Sequence, residues 1–171
     1  MEKDSLTKFI EELRQVWGPL DSRLAAKAQT LMNKLVRAPV TEPWLADLQE
    51  DFAESRELYH DPEHGFILIA HTEHEGLYRH PHNHGDGWVI YAVQRGEMEM
   101  GTYAHIERQN GAAVVQREKY RVKAGESRVY LPGDIHDTKC ISDSVLMFRL
   151  TSCDLKTELQ AKRMRRYTEG S

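Results

Sequence analysis

Between about residues 57 and 151 the sequence alternates apolar and polar side chains with a period of two. The runs are short and rich in Val, Ile, Tyr and Phe, and Gly, Asn, Asp and Pro break them at 66–71, 76–79, 87–94, 97–104, 112–122, 128–131, 136–141 and 145–151. Successive side chains of an extended chain leave opposite faces, so each run offers one face to a core. Strands this short and numerous cover those faces by closing on one another, as a sandwich or barrel of the jelly-roll kind. Asn110-Gly111 and Pro132-Gly133-Asp134 supply hairpin and turn chemistry between runs.

Ahead of the barrel the period is helical. Leu6, Phe9, Ile10, Leu13, Val16 and Trp17 predict a helix over 5–17, stopped by Gly18-Pro19. A second, over 21–37, places Leu24, Ala28, Leu31 and Leu35 on one face with Met32 and Val36 beside it, Asp21 or Ser22 as N-cap and Pro39 beyond its end. A third, over 42–57, has Pro43 in its first turn and Trp44, Leu48 and Phe52 at intervals of four. Aromatics at that spacing are core residues, so the three helices are expected to pack on the outside of the barrel. The division expected is a helical extension over 1–56, a β-barrel over 57–152 and a closing helix or strap over 153–171.

At 171 residues and 40% hydrophobic content, the chain is sized for one domain. A net charge of −4 provides no basic field for nucleic acid, and the basic cluster in LKTELQAKRMRRY reads as a solvated helix face. The longest aliphatic run, 66–70, is too short to span a bilayer, and the N-terminus has no apolar leader core. Cys140 and Cys153 are too few for a disulfide scaffold and fit a reducing cytoplasm. A cytoplasmic monomer or homodimer without a membrane or nucleic-acid partner is therefore expected.

The chemistry concentrates in 79–96 and in 132–136. His82 and His84, two apart before an apolar run, leave the same face of an extended strand, and His136, behind the Pro132-Gly133-Asp134 turn, supplies a third nitrogen if the sheet folds back. Nitrogen ligands alone admit Fe, Zn, Ni, Co or Cu.

These segments resemble the two cupin motifs. His82, His84 and Gly96 stand as the H-x-H and the later glycine of the first, and Gly125, Pro132, Gly133 and His136 stand as the second. Many cupins place a glutamate ligand four or five residues past the second histidine, where this chain has Trp88 and Val89. A site of three histidines without that carboxylate resembles the cysteine dioxygenase-like branch, whose bacterial members share the run Pro81, His82, Asn83, His84, Gly85. The resemblance implies a mainly β, double-stranded β-helix and a metal bound by His82, His84 and His136. It also implies an Fe(II) dioxygenase that converts a small thiol acid such as cysteine or a mercapto acid to its sulfinate with O2. The same site on this fold also admits a metal-dependent lyase, isomerase or carbon-bond dioxygenase, or a cupin that only binds a ligand.

Around such a site, Arg149 in the apolar run VLMFRLT either faces inward to clamp a substrate carboxylate or faces solvent, and Arg79 is the second candidate for the clamp. Tyr91, two residues past Val89, orients substrate or dioxygen, or packs with its hydroxyl on backbone. Thr138 and Cys140 alternate with His136 and should share its face, with Cys140 either beside the substrate or inert. His80 extends the motif to H-x-H-x-H, but only the pair 82 and 84 sets Gly96 at the cupin distance, which leaves His80 at the rim. His60, His64, His71, His74 and His105 read as surface residues, and Asp86 is the nearest carboxylate rival to the histidines.

Overall fold

The computed structural model describes residues 2–109 and 111–167. Three helices come first, α1 (Ser5–Val16), α2 (Ser22–Leu35) and α3 (Pro43–Glu50). Asp4 and Asp21 cap the first two, each accepting a hydrogen bond at 2.7 Å from a backbone N–H three residues on. Nine strands follow: β1 (Ser55–His60), β2 (Ile67–His74), β3 (Tyr78–His82), β4 (Val89–Arg95), β5 (Glu97–Arg108), β6 (Gly111–Lys123), β7 (Ser127–Tyr130), β8 (Ile135–Cys140) and β9 (Ser144–Thr151). A short helix, α4 (Leu155–Gln160), closes the series.

The strands form two antiparallel sheets, ordered β1-β2-β9-β4-β7 and β3-β8-β5-β6. Consecutive strands alternate between the sheets over much of the chain, which is the winding of a double-stranded β-helix, and the fold is mainly β as the alternation predicts. The five-stranded sheet is covered on both faces. Leu68, Ala70, Ile90, Ala92, Leu146, Phe148 and Leu150 face the helices and meet Phe9, Leu13, Leu24, Leu31 and Leu45. Val89, Tyr91, Val93, Val145 and Met147 alternate with them and meet Met98, Met100 and Val122 of the other sheet. Each fully buried Leu, Ile or Phe in these layers contributes roughly 1.5–3 kcal/mol.

The structure revises the expected elements in three places. The third helix ends at Glu50 instead of 57, and Phe52 is 71% exposed. The reason is a ladder that the periodicity does not reveal: Ser55 pairs with His71 and Glu57 with Ile69, drawing the segment into β1. β5 and β6 also run longer than expected, and Asn110, the residue placed in their turn, lies outside the described residues. The Pro132-Gly133-Asp134 turn forms, with Asp134 accepting from the Leu131 N–H at 2.7 Å. Gly96 adopts φ +87° between β4 and β5, where a Cβ would run into the Ser144 carbonyl. Among the described residues no helix is long and apolar enough to cross a membrane.

Candidate metal centre and its cavity

His82 ends β3 directly opposite His136 on β8, and His84 follows in the turn before β4. All three are buried, and their nitrogens lie within 4.8 Å of one another. The His82 Nδ1–H donates to the His80 carbonyl at 2.8 Å, which leaves Nε2 with its lone pair. His84 Nε2 and His136 Nε2 stand 3.3 Å apart. Two nitrogens each about 2.1 Å from one ion, at tetrahedral or octahedral angles, lie about 3.0–3.4 Å apart, so the pair fits a shared cation.

Burial pushes all three imidazoles down from the ordinary histidine range. For His82 the guanidiniums of Arg166, Arg149 and Arg79 add to burial, against a hydrogen bond to the His80 carbonyl. His84 is pushed down to about 3, and His136 well below its usual value, by burial and by the other histidines. Neutral rings with converging lone pairs are the protonation state a metal requires. Tyr130 holds the His136 ring by stacking at 3.8 Å, and its hydroxyl is tied to that of Tyr120 at 2.7 Å.

Trp88 turns to the helical layer and Val89 to the inter-sheet core, so no carboxylate occupies the position of the usual cupin glutamate. Asp86 is 83% exposed and pairs with Arg163 at 3.3 Å. Among the described residues no carboxylate joins the three histidines. The donor set therefore fits a borderline transition-metal dication, and His82, His84 and His136 would hold it.

Beside the histidines lies a cavity of about 400 Å³. Tyr91 and Arg149 line it as opposed residues of β4 and β9, and the Tyr91 hydroxyl reaches His84 Nε2 at 3.3 Å. Burial raises the Tyr91 phenol while the neighbouring Arg149 guanidinium pulls it back. Arg149 makes no ion pair among the described residues, and its buried Nε has no hydrogen-bond partner. Arg79 also lines the cavity, but its Nε is bound to Glu73 Oε1 at 3.0 Å. His80 is exposed at the rim, edge-on to Tyr78 with ring centroids 4.8 Å apart. Thr138 lines the cavity; Cys140 does not. Two residues farther along β8, Cys140 enters the apolar core, its thiol directed at the Ser142 and Glu73 carbonyls and raised by burial, so the expectation that it lies beside the substrate is corrected.

His71 is also corrected. It is 9% exposed and lines the cavity, as does Glu73, because odd positions of β2 face inward. Period-two alternation along 66–71 contained that signal, since Leu68 and Ala70 belong to the opposite face. The basic tail is not a solvated helix face. After α4 it runs antiparallel along β3, with the Asn83 N–H donating to the Arg165 carbonyl at 3.0 Å and the Tyr167 N–H to the Pro81 carbonyl at 2.7 Å. This strap brings Met164 and Arg166 to the cavity, which no pattern in the tail foretold.

The three clustered histidines thus come from the four-stranded sheet and the turn after it, whereas Arg149, Tyr91, His71 and Glu73 come from the five-stranded sheet.

No family model matches the sequence, and no curated protein matches it. Solved structures similar to it include BH2720 from Bacillus halodurans (11% identity, 67% of this chain and 81% of that one, TM-score 0.52). The cupin domain of Schizosaccharomyces pombe Cnp3 (12% identity, 63% and 69%, TM-score 0.47) and KdgF from Halomonas sp. (18% identity, 57% and 74%, TM-score 0.46) are also similar. At these identities the likeness is one of fold, and what the site does has to be argued from its own side chains.

Proposed function

We propose that the protein is a metal-dependent oxidoreductase that converts a small thiol acid to its sulfinate with dioxygen. The observation that carries this reading is Arg149, without an ion pair among the described residues and with a partnerless buried Nε, in a cavity lined by His82 of a three-histidine cluster that no carboxylate joins. Three imidazoles leave the charge of a dication uncompensated, which favours an anionic donor from the substrate, a thiolate above all. Fe(II) bound there would supply the redox chemistry by which both atoms of O2 pass to sulfur, RS⁻ + O2 giving RSO2⁻.

The chain's own residues do the rest. Arg149 offers a planar fork to the substrate carboxylate and so fixes the sulfur toward the histidines. Tyr91, which burial keeps protonated, holds a hydroxyl at hydrogen-bonding distance from His84, where it orients a substrate or oxygen atom. Met147 and Met164 provide apolar wall that limits water.

Elemental analysis of protein purified without a histidine tag, followed by oxygen-electrode assays on cysteine and 3-mercaptopropionate, tests the proposal. Stoichiometric iron with thiol-dependent oxygen uptake is expected. Zinc or nickel with no uptake would instead favour a lyase or isomerase at the same site.

A further inference from the structure

Four buried polar atoms of cavity-lining residues lack a hydrogen-bond partner: Glu73 Oε2, His71 Nε2, Thr138 Oγ1 and Arg149 Nε. Folded proteins rarely leave such groups unmatched, so their grouping around one cavity calls for a ligand. The signs of the two charged members decide what kind. Glu73 has a side chain only 1% exposed, and Arg79 takes just one of its oxygens, through Nε, while half the Arg79 side chain remains in solvent. Its other oxygen is desolvated and unmet.

Glu73 and Arg149 sit on the inward faces of neighbouring strands β2 and β9, where Glu73 opposes Val145 and Ile69 opposes Arg149. Four residues of offset separate their backbones by about 13 Å along the strand. His71 stands between them and is neutral, pushed down to about 3 by burial and by Arg149 and Arg79, so it adds no third charge. Thr138 opposes Arg79 across β8 and β3, which places its hydroxyl toward the acidic end. Arg79 and Arg166 also line the cavity, so a purely anionic ligand would find cations there but leave Glu73 Oε2 without a donor, whereas a dipolar ligand answers both ends.

We infer that Glu73 is a specificity-determining residue: Oε2 accepts a hydrogen bond from an ammonium group of the substrate whose carboxylate Arg149 holds. The cavity thereby selects thiol acids that carry an amine over those that lack one. The inference rests on the thiol-acid reading above and adds the groups by which the substrate is recognised.

The test is calorimetric titration of the Fe(II)-loaded protein without oxygen, using L-cysteine and 3-mercaptopropionate, for the wild type and Glu73→Gln. The wild type is expected to bind cysteine about tenfold or more the tighter, and Glu73→Gln to weaken cysteine about tenfold while moving 3-mercaptopropionate less than about twofold. The ratio of the two affinities does not depend on the fraction of variant that folds. Equal binding of both thiols by the wild type, or equal weakening of both by the substitution, overturns the inference. Because no turnover is needed, absent oxygen uptake would sink the dioxygenase reading and leave a Glu73-dependent preference standing. Uptake without that preference would do the reverse.

Discussion

Arg149 follows the apolar inward residues Val145 and Met147 along β9, and a guanidinium there is tolerable only if an anion shares the cavity with it. Lysine keeps the charge and loses the fork. Arg149→Lys should therefore raise the KM for 3-mercaptopropionate about tenfold or more and leave an uncharged thiol such as 2-mercaptoethanol within about twofold, read by oxygen uptake. His71 makes a second prediction from its burial. Its pKa is about 3 in the folded chain against 6.5 for the free group, so between those values the unfolded chain binds more protons. Stability then rises with pH and is lost on acidification below about 6.5. By pH 4.5 the loss from this residue is about 2–3 kcal/mol, at roughly 1.4 kcal/mol per unit. Urea midpoints of metal-free protein at pH 7 and pH 4.5 should show His71→Gln losing that much less than the wild type.

At the scale of elements, what the sequence made legible was whatever repeats. Eight of the nine strands and the first two helices announce themselves by period and caps, and the three histidines by spacing on β3 and β8. Pairing between distant segments was not legible. β1 looks helical until β2 offers it a ladder, and His71 looks superficial until the β2 alternation is given an inside. The strap is the extreme case, since its place depends on backbone bonds to Pro81 and Asn83 that no local pattern encodes. Its anchor is Glu158, 5% exposed, which accepts from Arg163 Nε at 2.7 Å and from the Asp86 N–H at 3.2 Å, and whose carboxyl is lowered chiefly by the Arg163 bond. Glu158→Ala should cost about 1–3 kcal/mol and free the strap. Limited trypsin digestion should then cut at Lys162 to Arg166 faster than in the wild type, and metal should leave faster in a chelator chase.

Across the whole molecule, three layers divide the labour. Helices and the five-stranded sheet share one core, and the two sheets share another. Substitutions in the first should change stability without changing the centre: Leu31→Ala is expected to cost about 2–5 kcal/mol and leave metal content intact. His136→Ala should do the opposite, removing most of the metal while the far-ultraviolet circular dichroism of the β-fold persists. The clustered histidines come from the four-stranded sheet and its turn, whereas His71, Glu73 and Arg149 line the cavity from the five-stranded sheet, so that part of the cavity wall can change without touching the histidines. A library randomised at 71, 73 and 149 should yield many variants with altered thiol preference and few that fail to take up metal. The same partition would let a lineage reshape this cavity by small steps without passing through a form that has lost its three-histidine cluster.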